Sequence, residues 1–183
     1  GDNDLMLSAT AGASLFPADG RTVDALVRNA ETAMYRAKGA GPNASRFYEP
    51  EMTAYATERL RLERQLRRAI AEDGLRLDYQ PQVDGASGRL LGAEALARWT
   101  CEDLGPVSPA RFIPIAEETG IIVDLGEWVL REAGRQVAAW DAQGFRLPKI
   151  SVSVSVRQVE RPAFLERVGA ILAETGLAAE RLE

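Results

Sequence analysis

The sequence predicts an α/β fold in which a connecting helix leads into part of a barrel-like sheet, and three observations predict it. Strand-like and helix-like segments alternate after residue 74, as in sheets whose strands are joined by helices. Two apolar strands flank a glycine-containing turn at residues 84–88 and are expected to form a hairpin. A later strand alternates valine with serine, and such a polar face suits a strand that points into a barrel whose mouth holds a charged ligand.

Composition excludes several functional classes. The hydrophobic content of 46% supports a packed core in a chain of 183 residues, which is long enough for one or two domains. A net charge of -5 and a pI near 5.0 argue against binding to a nucleic-acid polymer. Histidine is absent and Cys101 is the only cysteine. Ser-His and Cys-His catalysis, an intramolecular disulfide and a thiolate zinc cluster are therefore excluded.

Hydropathy predicts the compartment. The sequence has neither a signal peptide at its start nor an apolar run of about eighteen residues or more. We therefore expect no membrane segment in this chain and a cytoplasmic location. Any membrane tether of the intact protein would lie in segments upstream of this chain.

The first elements follow from local patterns. Residues 5–16 are small and apolar and predict a strand pair or one buried strand that ends at Pro17. Residues 22–38 have apolar side chains at helical spacing, with Gly39 to end the helix. Residues 45–48 predict a short strand.

A charged helix is predicted over residues 52–72. Leu62, Leu66 and Ile70 form an apolar stripe, and Glu63 precedes Arg67 at a favourable spacing. We interpret this segment as a connecting helix between domains. Its arginines are spread around the helix, which favours a solvated face over a nucleic-acid patch.

The second half alternates strands and helices. Residues 75–80 and 90–99 predict the hairpin, and Ser108 and Pro109 are expected to start a helix that Gly120 ends. A long helix follows, with its apolar stripe between residues 125 and 140, then an alternating strand at 150–156 and a helix at 162–175. The three tryptophans are expected to belong to the core, although stacking on a guanine is the alternative.

Residues 90–99 read LLGAEALARW, which places a carboxylate, Glu94, and a guanidinium, Arg98, in an apolar segment. The surrounding residues read LRLDYQPQV at 75–83, DGASG at 84–88, SPARFIP at 108–114 and EETG at 117–120. This combination resembles the EAL family of cyclic di-GMP phosphodiesterases. The resemblance implies a modified TIM barrel with one antiparallel strand. Because about 110 residues follow Gly74 and a complete barrel needs about 250, we expect this chain to hold an incomplete barrel.

The resemblance also implies roles for individual residues. Glu94 matches a ligand of Mg²⁺ or Mn²⁺, and Arg98 matches an arginine that contacts a phosphate. Gln80, Leu96 and Pro114 match positions that line the cyclic di-GMP pocket. The alternatives are a solvated strand-end carboxylate for Glu94, a salt bridge for Arg98, and packing roles for Leu96 and Pro114.

Ser153 departs from the family pattern. Residues 152–158 read VSVSVRQ, and the family has a metal-ligating asparagine where this chain has Ser153. A hydroxyl is shorter than an amide and is a poorer neutral ligand, so it would miss the metal or need a bridging water. The general base of the family is expected beyond residue 183, and no catalytic base is named in this chain. Glu117 and Glu118 are expected to be solvated or capping charges.

Residues 1–50 carry a second resemblance. The segments SATAGASLFPADG at 8–20, NAETAMYRAK at 29–38 and SRFY at 45–48 are similar to the closing third of a GGDEF, or diguanylate cyclase, domain. The predicted organisation is thus the C-terminal part of a GGDEF domain at 1–50, a linker helix at 51–73 and the N-terminal part of an EAL domain at 74–183.

Together the two resemblances imply a tandem cyclic di-GMP signalling protein whose intact form hydrolyses cyclic di-GMP to pGpG, with this fragment itself inactive. A degenerate EAL module that binds cyclic di-GMP without cleaving it is the alternative, and a purely structural or dimerisation segment is the third. The uncovered edges of an incomplete barrel predict low stability or self-association, for example as a homodimer.

Overall fold

The computed structural model describes residues 8–72 and 74–183. The chain divides into two compact units, Gly1–Arg61 and Leu62–Glu183. The division falls inside helix α2 (Pro50–Ala71). Among the described residues, no helix combines the length and the apolar character that crossing a lipid bilayer requires.

The first unit pairs two short strands with one helix. Strands β1 (Ala11–Ala13) and β2 (Ser45–Phe47) are parallel, and α1 (Val23–Lys38) lies between them in sequence. The Thr22 hydroxyl accepts a hydrogen bond from the Ala25 amide at 3.3 Å, so this side chain caps α1. The predicted helix at 22–38 is therefore confirmed.

The strand predicted at residues 5–16 is wrong in its extent. Residues 5–7 lie outside the described part of the chain, and within the described part only Ala11–Ala13 are extended and paired. The Leu15 amide instead donates to Asp19 Oδ2 at 2.7 Å, and the Asp19 amide donates to the Leu15 carbonyl at 2.7 Å. These two bonds form a turn, which satisfies backbone groups that a strand would have paired.

Helix α2 confirms the predicted stripe. Leu62 and Leu66 are 2% and 0% exposed and belong to the core of the second unit, and Ile70 packs against that core. Arg67 Nη2 lies 3.0 Å from the Glu63 carboxylate one turn earlier. Because both side chains are partly exposed, this pair contributes only about 0.3–0.5 kcal/mol.

The second unit is built on a four-stranded sheet. Strands β3 (Leu75–Val83) and β4 (Leu90–Cys101) are antiparallel, which confirms the predicted hairpin. Strand β5 (Gly105–Val107) pairs antiparallel with the end of β4, and β6 (Ile150–Val152) pairs parallel with its middle. This mixture of antiparallel neighbours, β3 and β5, with a parallel neighbour, β6, on β4 agrees with the expected modified barrel.

The hairpin turn is fixed by Asp84. Its Oδ1 accepts hydrogen bonds from the Ser87 amide at 2.7 Å and the Ser87 hydroxyl at 2.6 Å. The hydroxyl bond is the main reason that the pKa of Asp84 lies below its usual value. Gly88 has φ +68, a conformation that favours glycine. The turn therefore starts the pairing of β3 with β4, and a β-bulge between Gln82 and Val83 then shifts the register by one residue.

Helices cover one face of this sheet. They are α3 (Pro109–Thr119) and α4 (Ile122–Ala142), while α5 (Val156–Val159) and α6 (Phe164–Thr175) pack on α4. Ser108 holds the predicted N-cap position of α3, although its hydroxyl makes no capping hydrogen bond. Gly120 ends α3 with φ +78, as predicted.

The core lies between the sheet and α3 and α4. Trp99 and Phe112 are 3% and 0% exposed and meet edge to face with ring centroids 5.8 Å apart. Trp128 is buried, and Trp140 packs against Tyr79 with ring centroids 4.8 Å apart. All three tryptophans therefore belong to the core, as predicted, and none is presented for stacking on a base.

Two predicted boundaries near the end of the chain are wrong. Strand β6 ends at Val152 rather than at 156, because the Ser155 amide donates to Gln158 Oε1 at 3.1 Å and the chain turns into α5. Helix α6 begins at Phe164 rather than at 162, because the Phe164 amide first closes a turn on the Arg161 carbonyl at 3.0 Å.

The last residues pair with the free edge of β6. Leu182 forms a parallel bridge with Ile150, and the Val152 amide donates to the Glu183 carbonyl at 2.9 Å. Residues 182–183 thus form an isolated parallel bridge beside β6.

Candidate functional site

Strand β4 separates a polar face of the sheet from the core. Successive side chains of a strand point to opposite faces, so Glu94, Leu96 and Arg98 share one face. Ala93, Ala95 and Trp99 point to the other face, where they are buried in the core. The register of β3 and β6 extends the polar face with Arg76, Asp78, Gln80 and Ser151. We define these seven residues together with Ser153 as the polar face.

The polar face brings the two predicted metal-site residues together. Ser153 Oγ donates a hydrogen bond to Glu94 Oε1 at 2.9 Å, although 59 residues separate them in sequence. On β4, Glu94 lies directly opposite Gln80 on one side and Ser151 on the other. Because a carboxylate only accepts, the Ser153 hydroxyl donates to it, and the hydroxyl oxygen offers a neutral lone pair where the family has an amide oxygen.

These residues alone do not complete a divalent-metal site. Mg²⁺ and Mn²⁺ take hard oxygen ligands in octahedral geometry. Glu94 offers one carboxylate and Ser153 one neutral hydroxyl. Throughout residues 8–72 and 74–183, no group of three or more acidic, histidine or cysteine side chains is arranged to hold a metal ion. Glu94 suits one ligand position, and the other ligands are not found in the described residues.

Arg98 is held by two acceptors on the polar face. Its Nε donates to Asp78 Oδ2 at 2.9 Å, and its Nη1 donates to the Ala97 carbonyl at 3.1 Å. The Arg98 side chain is 32% exposed, so part of the guanidinium still faces solvent. Leu96, Arg98 and Ser153 line one cavity of about 190 Å³ beside α3 and α4. This arrangement can bind an anion next to an apolar wall.

The predicted pocket residues separate into two groups. Gln80 and Leu96 lie on the polar face with Glu94 and Arg98. Pro114 lies inside α3, where it is exposed. Its neighbour Ile113 lines the cavity of about 190 Å³, and Pro114 does not. The role of Pro114 in ligand binding stays a prediction.

Sequence reasoning missed Asp78, the carboxylate partner of Arg98. The turn alone does not reveal this contact, because a β-bulge between Gln82 and Val83 shifts the register by one residue. Counting back from Val83 opposite Leu90 would place Asp78 opposite Ala95, whereas the bulge places it opposite Leu96 and so on the same face as Arg98.

Gln158 is a buried polar residue that positions the segment after β6. Its side chain is 5% exposed and accepts from the Ser155 amide at 3.1 Å. It lies so close to Gly126 of α4 that a β-carbon there would be 1.8 Å from Gln158 Nε2. Gln158 therefore fixes the segment between Ser153 and α5 against α4.

The structure corrects the prediction for Glu117. It was predicted to be a solvated or capping charge, but it is partly buried and accepts a hydrogen bond from Ser155 Oγ at 2.6 Å. The segment after β6 is thus tied to α3 through Ser155 as well as to α4 through Gln158. Both ties restrict where Ser153 lies.

Comparison with known proteins agrees with this geometry. The family model of the EAL domain matches residues 63–183. An uncharacterized signaling protein of Caulobacter vibrioides is 43% identical over 180 residues, which are 98% of this chain and 22% of that protein. The bifunctional diguanylate cyclase/cyclic di-GMP phosphodiesterase MucR of Pseudomonas aeruginosa is 41% identical over 166 residues, 91% of this chain and 24% of MucR.

A solved structure is also similar. The structure described as the PaMucR phosphodiesterase in a c-di-GMP complex aligns with a TM-score of 0.63 and 38% identity, over 67% of this chain and 49% of that one. The chain spans less than a quarter of the length of the two curated relatives, at 22% and 24%. Since the family model covers more than half of the sequence and includes every residue of the polar face, the chain belongs to the EAL domain family.

Proposed function

We propose that this chain is part of a cyclic di-GMP signalling protein whose intact form hydrolyses cyclic di-GMP to pGpG. The observation that carries the proposal is the placement of Glu94, Leu96 and Arg98 on one face of β4, with Gln80 opposite Glu94. MucR, which bears both cyclase and phosphodiesterase in its name, and its phosphodiesterase structure in complex with c-di-GMP support the choice of ligand.

The chemistry requires a charged site. A phosphodiester resists hydrolysis because its anionic oxygens repel an attacking hydroxide, and a bound Mg²⁺ or Mn²⁺ supplies both the activated nucleophile and positive charge. Glu94 would be one ligand of that ion. Arg98 would hold a phosphate through the N–H groups that Asp78 and Ala97 leave free, while Leu96 and Gln80 line the pocket. The general base is left unassigned in this chain.

A second candidate function is a receptor that binds cyclic di-GMP without cleaving it. The hydrogen bond from Ser153 to Glu94 favours this candidate, because a donating hydroxyl stands where the family has a metal-ligating amide oxygen. Arg98 and the apolar cavity wall do not depend on Ser153. Ligand binding would therefore survive a weakened metal site.

The proposed organisation places the C-terminal part of a GGDEF domain at residues 1–50, a linker helix at 51–73 and the N-terminal part of the EAL domain at 74–183. Both curated relatives align over more than nine-tenths of this chain, including most of the first 50 residues, which supports a shared upstream domain. The proposed location is the cytoplasm.

Binding and hydrolysis by the full-length protein test the proposal. Calorimetric titration of cyclic di-GMP in a chelating buffer measures binding, and chromatography of pGpG formed with Mn²⁺ measures hydrolysis. Arg98→Ala should weaken binding by about 10- to 100-fold, the loss expected for a charge-assisted hydrogen bond. Glu94→Gln should abolish hydrolysis and leave most of the binding intact.

The exposed Glu166 of α6 provides a matched control, because Glu166→Gln makes the same chemical change away from the polar face. Binding without hydrolysis would select the receptor function. If the wild-type protein neither binds nor hydrolyses cyclic di-GMP, the proposed function is wrong.

A further inference from the structure

Two arginines lie opposite each other on the polar face. Arg76 of β3 and Arg98 of β4 are register partners in the antiparallel pair, so their side chains lie side by side. Like charges directly opposite in a sheet destabilise it. A compensating charge is therefore needed to keep the two guanidinium groups together.

Asp78 supplies that charge. Its Oδ1 forms an ion pair with Arg76 Nη1, and its Oδ2 accepts from Arg98 Nε at 2.9 Å. Asp78 lies two residues after Arg76 on the same face of β3. The three side chains, which we call the arginine pair and its carboxylate, carry a net charge of about +1. This end of the polar face therefore attracts anions.

Both guanidinium groups keep N–H donors that are not used by Asp78. Arg98 uses Nε for Asp78 and Nη1 for the Ala97 carbonyl. Arg76 uses Nη1 for Asp78, and its side chain is 64% exposed. Within the described residues, neither Arg98 Nη2 nor Arg76 Nη2 has a protein acceptor. Each arginine can thus donate to an external oxygen while it keeps its bond to Asp78.

We propose that Arg76 is a second phosphate-binding arginine beside Arg98, and that Asp78 is the positioning residue that holds the two guanidinium groups together. The inference rests on the proposed function, because the ligand is a cyclic dinucleotide whose anionic phosphodiester oxygens meet both arginines. Arg76 adds a second positive charge and further N–H donors to the phosphate contact made by Arg98. Asp78 offsets the repulsion between the arginines and leaves their outer edges free.

An ordinary surface ion pair behaves differently. The pair of Arg67 and Glu63 on α2 joins one arginine to one carboxylate, and such exposed pairs contribute little to stability. If Arg76 and Asp78 were a pair of this kind, removing the charge of Arg76 would leave ligand binding unchanged. Binding therefore distinguishes the two roles.

The test is calorimetric titration of the full-length protein with cyclic di-GMP in a chelating buffer. Arg76→Gln should weaken binding by about 5- to 20-fold, the effect of one partly exposed charge-assisted hydrogen bond. The dissociation constant should also depend less steeply on salt concentration, because one screened charge is removed.

Arg89 at the other end of the hairpin offers a matched control. It precedes β4 and lies nine residues before Arg98, a separation of about 30 Å along a strand. This distance exceeds the Debye length of about 8 Å at physiological salt. Arg89→Gln makes the same charge change and should alter binding by less than about twofold.

A double-mutant cycle tests the positioning role of Asp78. In an Asp78→Ala background, Arg76→Gln should weaken binding by less than about twofold, because Arg76 is no longer held beside Arg98. Asp78→Glu retains the carboxylate and should restore a measurable effect of Arg76→Gln. Equal effects of Arg76→Gln with and without Asp78 would overturn the positioning role.

The outcomes separate this inference from the function on which it rests. If the wild-type protein does not bind cyclic di-GMP, both the proposed function and this inference are wrong. If the wild-type protein binds cyclic di-GMP and both Arg76→Gln and Arg89→Gln bind it as tightly as the wild type, this inference is wrong and the proposed function still holds. Circular dichroism of each variant, matching that of the wild type, assigns the change in binding to the site.

Discussion

Gly126→Ala should destabilise the second unit, although alanine is the better helix former. Gly126 lies in the interior of α4, where glycine ordinarily costs about 1 kcal/mol relative to alanine. Here an added β-carbon would lie 1.8 Å from Gln158 Nε2 and 2.8 Å from Gln158 Cδ. Gln158 is 5% exposed but lines the cavity of about 190 Å³, so its amide can turn away only by giving up its present contacts. The buried amide must move.

The loss should exceed the gain. Moving Gln158 leaves the Ser155 amide without the acceptor that it has at 3.1 Å, and an unsatisfied buried donor costs about 1–3 kcal/mol. Against the gain of about 1 kcal/mol from helix propensity, we expect a net destabilisation of up to about 2 kcal/mol.

Gly169→Ala is the matched control. Gly169 is exposed in the interior of α6, and an added β-carbon there meets no atom within 4 Å. The same substitution should therefore stabilise the protein by about 1 kcal/mol. The two variants differ only in what surrounds the new methyl group.

Urea unfolding followed by tryptophan fluorescence measures both effects. All three tryptophans lie in the second unit, so their fluorescence reports the unfolding of that unit. The urea midpoint should fall for Gly126→Ala and rise for Gly169→Ala. In a Gln158→Ala background, Gly126→Ala should no longer destabilise. If Gly126→Ala is as stable as Gly169→Ala in the wild-type background, the close packing of Gln158 on α4 is refuted.

Two further predictions concern Ser153 and Glu127. In the full-length protein, Ser153→Asn should tighten Mn²⁺ binding by about 10-fold or more in calorimetry, because an amide oxygen replaces a donating hydroxyl beside Glu94; an unchanged titration would place Ser153 away from the metal. The hydrogen bond from Arg167, helped by one from Arg131, holds the pKa of Glu127 below its usual value. The ionised Glu127 carboxylate therefore stabilises the fold above the ordinary pKa of a glutamate. This stabilisation is lost as the pH falls through the lowered pKa of Glu127 in the folded protein. Glu127→Gln should therefore flatten the decline of the urea midpoint below about pH 5, and an identical decline in both proteins would contradict this.

Several elements could be predicted because their signals are local. Helix α1 has Thr22 and Gly39 at its two ends and apolar residues at helical spacing between them. The hairpin has a turn whose Asp84 side chain bonds only three residues ahead. In both cases the residues that decide the structure lie within a few positions of one another.

Other features depend on contacts that no local pattern contains. The alternation of valine and serine suits a strand through 156, yet Gln158 accepts from the Ser155 amide and ends the sheet pairing early. The contact between Asp78 and Arg98 joins residues 20 positions apart. It depends on the register of the hairpin, since a slip of one residue would turn Asp78 to the opposite face.

Recognition and cleavage depend on separate residues in the proposed site. Arg98 is oriented by Asp78 and by its own strand, and neither contact involves Ser153 or Glu94. A loss of metal affinity caused by Ser153 would therefore leave the phosphate contact in place. Conversely, a carboxylate that accepts a hydrogen bond keeps its negative charge, so Ser153 does not by itself prevent Glu94 from binding a cation. The step that Ser153 affects is the completion of the metal site, so within this chain Ser153→Asn is the substitution that tests phosphodiesterase against receptor.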